Sequence, residues 1–325
     1  NTEVNFIKTL FRIEKKPTKG LLALEWAVMG YLVFTLLLML FTYTKLADPV
    51  AMLWGRVQIV AMTVALWAVY RMVPCRFTRL CRIVAQMALL SWWYPDTYEF
   101  NRMFSNLDHV FARYEQTLFG CQPSLLFAAK CGNAVFSELM CLGYTAYYPM
   151  IALVTLFFFV WRYEQFGRAS FIVLTSFFIY YVIYIFVPVA GPQYYYEAVG
   201  LDRIAAGSFP DIGHYFADHT AALATPGWSG GFFYDMVREA HDAGERPTAA
   251  FPSSHVGVST ILMILAWSSC NRRLLYWLTP LYVLLCLSTV YIYAHYAIDV
   301  VAGWISAVVI YAALHVFYTR WVGKE

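Results

Sequence analysis

The sequence predicts an all-α integral membrane protein, a helical bundle of about 6–8 transmembrane spans, and three observations predict it. Of 325 residues, 61% are hydrophobic and only 13% charged, against about 25% charged in an ordinary soluble domain. Several apolar runs reach ~20 residues, enough to cross a ~30 Å hydrocarbon core as helix. Between the runs, basic residues concentrate on alternate loops, as membrane topology requires. The net charge of +3 is small and does not point to nucleic acid as a partner.

Taken in order, the runs place spans at 21–43, 49–70, 82–95, 134–160, 169–188, 254–270, 274–293 and 296–318. The third is short, and a re-entrant segment is the alternative. The first is too long for a signal-peptide core and lacks a small-residue cleavage site. With the N-terminus cytoplasmic, segments 1–20, 71–82, 161–168, 271–273 and 319–325 hold fifteen of the 23 basic residues. The outward segments 44–48, 96–133 and 189–253 hold thirteen of the 20 acidic ones. A multi-pass plasma (inner) membrane protein is expected, its long loops extracytoplasmic. Residues 1–95 read as a cytoplasmic N-terminal segment with accessory helices, and 96–325 as the principal membrane domain. Seven cysteines show no zinc or redox spacing. Cys121 and Cys131 share the outer compartment, and both a disulfide and two buried thiols fit.

Ionisable residues inside spans are costly and therefore informative. Glu25 and Arg56 enter the bilayer from opposite faces, so they are not expected to pair directly, and snorkelling accounts for both. His295 and Asp299 differ. In YIYAHYAIDVVAG they stand four apart, on one helix face. The carboxylate there can accept the imidazole N–H, fix the tautomer and leave the other ring nitrogen as a base or nucleophile. By itself the pair also has a plain structural reading, a hydrogen bond between helices.

The stretch FPSSH, residues 251–255, opens another span. Pro252 suits a first helical turn and Ser253 or Ser254 its N-cap. His255 then lies beside backbone N–H groups without helical partners, an arrangement that favours anions. Capping alone needs serine but not histidine. The span from 254 runs inward, NRR (271–273) turns it, and the next returns outward. His255, His295 and Asp299 thus reach the same membrane face.

With these residues in view, the sequence resembles the type 2 phosphatidic acid phosphatase superfamily over roughly residues 106–305. That superfamily carries Lys-x6-Arg-Pro, then Pro-Ser-Gly-His, then Ser-Arg-x5-His-x3-Asp. The second motif is matched by Pro252-Ser253-Ser254-His255. The third is matched by Ser288-Thr289, five residues, His295 and Asp299, and the first falls in VPVAGPQYYY, 187–196. The stretch 107–149 also resembles the inositolphosphotransferase-like branch. The resemblance implies a six-helix core and makes 96–325 the catalytic domain, with 189–253 as its outer loop. It also implies phosphoryl transfer through a phosphohistidine. His295 would attack phosphorus, Asp299 would hold it, and His255 would protonate the leaving oxygen and then activate water or an alcohol. No cofactor or metal is implied.

The departures are specific. Thr289 stands where the third-motif arginine would be, Gly191 precedes Pro192, and Tyr184 replaces the lysine. Three groups on the outer side are candidates to bind phosphate in their stead: Gln193 with Tyr194, the donors around Ser253 and Ser254, and Arg246. Loss of cations with the histidines retained resembles the sphingomyelin synthase and inositol phosphorylceramide synthase branch. A phosphodiester brings one negative charge where a monoester brings about two, so fewer cations are needed.

The outer loop is long for a mere connection, as a functional lid would be. Its His214, His219 and His241 read as solvated, with a surface metal site as the other reading. Tyr194, Tyr195, Tyr196, Tyr291, Tyr293 and Tyr296 read as interfacial anchors, and His109 and His315 as structural. The expected activity is thus that of a lipid phosphotransferase or phosphatase, with a lipid substrate and a lipid or water acceptor. Two rivals stand beside it. One is a transporter using the His/Asp cluster as a proton or metal relay, disfavoured because such sites lie near the midplane. The other is an inactive lipid-binding relative.

Overall fold

The computed structural model describes residues 8–323 except residue 243. The named elements are α1 (Ala23–Thr42), α2 (Pro49–Met72), α3 (Arg76–Ala88), α4 (Leu90–Asn101), α5 (Asp108–Phe119), α6 (Pro123–Lys130), α7 (Ala134–Thr145), α8 (Tyr147–Trp161), α9 (Tyr163–Phe186), α10 (Pro192–Val199), α11 (Leu201–Ala205), α12 (Phe232–Asp242), α13 (Ser254–Ser268), α14 (Arg272–Tyr291) and α15 (Ala297–Phe317). α1, α2, α9, α14 and α15 are long and apolar enough to cross a membrane. A sixth crossing results if α7 and α8, bent by 46° at their junction, are one broken span. α13 is apolar but only 15 residues long. The chain is an all-α membrane protein.

The expected span 82–95 is not one helix. α3 and α4 meet at Leu89 instead, and the polar residues of this stretch explain why: they bury inside the bundle. Arg82 on α3 grips Glu25 of α1, Nε to Oε1 at 2.7 Å with a second bond from Nη2 to Oε2. Asp96 on α4 takes Arg56 of α2 in a fork, at 2.9 and 2.7 Å. Both pairs are nearly or wholly inaccessible, which corrects the snorkelling expectation for Glu25 and Arg56. Neither charge reaches water, because each has its own opposite charge on the neighbouring helix.

α9 is the axis of the bundle. It packs against α1, α4, α8, α13 and α15, and 72% of its apolar window is buried, against 28% for α15. On its other side α13 lies close along α15. Gly303 permits that approach, since a Cβ there would come within 2.8 Å of the Ser253 carbonyl. All seven cysteines are free, Cys121 and Cys131 included.

Candidate active site

Three loops at one end of α9, α13 and α15 are stitched together by backbone hydrogen bonds. Ala250 N–H donates to Val189 O at 3.0 Å, Gln193 N–H to Tyr293 O at 2.8 Å, and Ser253 N–H to Asp299 O at 3.1 Å. Gly191 is required at this crossing. Its φ is +99°, and a Cβ would meet Ala294 O at 2.6 Å. The loops 187–196, 249–253 and 292–296, distant in sequence, therefore share one corner.

His295 occupies that corner, 3% exposed. Its Nδ1 lies 2.8 Å from the Ala250 carbonyl, which can only accept, so Nδ1 carries the proton and Nε2 the lone pair. Asp299, the partner that the spacing predicts, stands further from the same nitrogen, at 3.6 Å. The Asp299 carboxylate instead accepts the Tyr296 N–H at 2.8 Å, in the first turn of α15. His295 Nε2 faces His255 Nδ1 at 3.3 Å. Burial pushes the His295 pKa down to about 4, opposed by the Ala250 hydrogen bond and by Glu245. The ring is neutral at pH 7.

His255 projects from the first turn of α13, as its position in FPSSH predicts. Tyr144 of α7 stacks on it at 4.8 Å and Tyr147 of α8 lies at 4.4 Å. Ser253 caps the helix, accepting from Val256 N–H at 3.3 Å. The Ser254 N–H is already bound to Tyr184 Oη at 2.9 Å, and Tyr184 in turn donates to Pro252 O. The residue in the lysine position of the first motif thus props the histidine loop. Two of the backbone donors expected to receive an anion are therefore engaged within the protein. Thr289, in the arginine position, bonds its own helix at Cys286 O.

The outer wall centres on Glu245, to which the sequence drew no attention. Its carboxylate accepts from Tyr144 Oη at 2.8 Å and Gln193 Nε2 at 3.2 Å, and touches His241 at 3.0 Å. Gln193 is buried, and its Oε1 has no hydrogen-bond partner. Tyr194 is buried against Phe216. Arg246 is exposed, its backbone carbonyl accepts from Thr248 N–H at 2.7 Å and from Tyr94 at 3.4 Å, and its charge acts on Tyr194 and Tyr98. The structure thus gathers His255, His295, Asp299, Ser253 and Ser254 in one corner, with Gln193 beside Glu245. No contact joins Arg246 to either histidine. Tyr144 and Glu245 escaped notice because neither stands in a motif, though His241 and Glu245 are spaced i, i+4. Among the described residues, no cluster of three metal-binding side chains occurs.

The fold and this corner define a class: a helical membrane protein with a paired-histidine centre where three loops meet. The family model of the PAP2 superfamily matches residues 109–313, and the chain belongs to that superfamily. Membership makes it an enzyme of the phosphatase or phosphotransferase kind acting on lipid-phosphate substrates. Comparison with curated proteins gives no match, nor does comparison with solved structures.

Proposed function

We propose that the protein transfers a phosphorylated head group between lipids at the extracytoplasmic leaflet, with His295 as nucleophile and His255 as acid and base. The observation that carries this reading is the contact of His295 Nε2 with His255 Nδ1 at 3.3 Å, with Nδ1 of His295 fixed by the Ala250 carbonyl. A lone pair held in place opposite a second imidazole is what nucleophilic phosphoryl transfer needs. Nε2 of His295 attacks phosphorus, and the bond from phosphorus to the donor-lipid oxygen breaks. That oxygen takes a proton from His255, which enters the step as imidazolium, charged by a proton taken up with the anionic substrate. The acceptor hydroxyl then gives its proton to His255 while its oxygen displaces His295 from phosphorus. The rings are too close to admit a phosphoryl group between them, so substrate binding must part them.

Transfer of a diester fits the charges around the pair. Glu245 lies on the wall, Thr289 and Tyr184 fill the places of two cations, and Arg246 is exposed. A dianionic monoester would meet little positive charge here, whereas a monoanionic diester needs less. The branch this favours is the inositolphosphotransferase or sphingomyelin synthase-like one. A proton or metal relay is less well served. His255 and His295 sit at helix ends, in the first turn of α13 and just before α15, not at mid-span.

Incubation of the purified protein in lipid vesicles with radiolabelled phosphatidylinositol tests the proposal. Acid-labile, base-stable label on the protein is expected, with chelator present, and none in His295→Ala. Label persisting in that variant excludes His295 as the nucleophile. Release of inorganic phosphate from phosphatidic acid, with no transfer from the diester, favours the phosphatase.

A further inference from the structure

Helix α5 carries two buried carboxylates that the mechanism above does not use. Asp108 accepts from Ala190 N–H at 2.6 Å, Gly191 N–H at 2.8 Å, Asn106 Nδ2 at 2.6 Å and Tyr296 Oη at 3.0 Å. It ties the first-motif loop to the loop that bears His295. Two turns along the helix, Glu115 Oε1 accepts from Ala297 N–H, and from Ile298 N–H at 3.3 Å. These are the opening donors of α15, next in sequence to His295. The helix dipole favours an acceptor there.

Glu115 is wholly buried, and its Oε2 has no partner. Asp299, also wholly buried, has its Oδ1 without a partner. Among the described residues, no lysine or arginine pairs with Glu115, Asp108 or Asp299. Two unpaired carboxylate oxygens on neighbouring elements become complementary once one of them is protonated. We propose that Glu115 is a positioning residue for His295, which in its protonated form holds the first turn of α15 and neutralises the pocket behind Asp299. The Glu115 pKa is pushed up to about 8 by burial and by Asp299, against the pull of the two backbone donors. The other charged or titratable groups facing this pocket are Asp108 on the same helix, Tyr196 on α10, Tyr296 beside α15, Tyr184 on α9, and His295 itself, which is neutral at pH 7. None of them supplies positive charge. As pH rises past about 8, Glu115 ionises and places an unpaired charge beside the Asp299 carboxyl, behind His295.

The inference rests on the proposed role of His295, and the experiment separates the two. Thermal unfolding of the full chain in detergent is followed from pH 5 to 9.5, in wild type, Glu115→Gln and Glu115→Ala. The folded chain holds a proton on Glu115 that the unfolded chain has released, so the Glu115 contribution to stability falls with rising pH up to about 8 and then levels. Glu115→Gln, which keeps an acceptor for α15 and cannot ionise, flattens that slope. In transfer from labelled phosphatidylinositol, Glu115→Ala loses at least ~10-fold, and Glu115→Gln restores the rate and extends it above pH 8. An unchanged pH slope in Glu115→Gln, or a wild-type rate in Glu115→Ala, overturns the inference. A flattened slope in a chain that transfers nothing leaves the proton assignment standing and removes the proposed function.

Discussion

The two ends of the chain handle buried charge in opposite ways. In the N-terminal helices every buried charge described meets its opposite: Arg56 with Asp96, and Arg82 with Glu25. Around His295 three buried carboxylates, Asp108, Glu115 and Asp299, meet backbone N–H groups, one hydroxyl and one amide, and no lysine or arginine. An ion pair is self-contained and locks two helices for as long as its carboxylate stays ionised. A carboxylate held by N–H donors keeps a charge or proton available to whatever sits beside it, and here that is an imidazole. The first region locks helices together, and the second holds an imidazole in a set tautomer.

The largest effect should fall on the histidine pair. His295→Ala is expected to lower transfer at least ~10³-fold and His255→Ala about 10²–10⁴-fold, each with little change in unfolding temperature, measured side by side with wild type. A collapse of folding in either would make the pair structural and erase the contrast between the two ends. Next, in the N-terminal region, Arg82→Met strands Glu25 and should cost about 3–5 kcal/mol, while Glu25→Leu with Arg82→Met should recover most of it. Denaturation in mixed micelles reads both. Near the site, Asp108→Asn turns one acceptor towards a donor and should cost about 1–3 kcal/mol, less than the broken ion pair. If the two losses were equal, the N–H-held carboxylates would be locks of the same kind.

The smallest effect concerns pH. His295 is held at about 4 by burial, below the ~6.5 of a free imidazole. Between those values the unfolded chain binds more protons, so stability rises with pH across that window and is lost as pH falls through it. His295→Ala should remove up to ~3 kcal/mol of this dependence. The acid limb of the activity profile should likewise sit near 4.

Local pattern was legible where it carried chemistry on a single helix. FPSSH announced a capped helix start with a histidine in its first turn, and the four-residue spacing of His295 and Asp299 placed them side by side. It did not reveal that the Ala250 carbonyl, 45 residues away, takes the imidazole proton before Asp299 does. Nor did it reveal Glu245, Tyr144 or the α5 carboxylates, whose roles depend on which loop crosses which. Glu25 and Arg56 show the same limit. Each looked like a lone charge near a membrane face, because its partner lies on a helix whose own sequence resembles a short span.

What the sequence determined by itself was composition and period: apolar length makes helices that can cross a bilayer. Those are properties of one helix in one solvent. Only the tertiary structure decided which donors meet which acceptors, because a hydrogen bond of about 3 Å depends on how three loops cross at a glycine. The reactive state of His295 is set there, by neighbours that no span foretells.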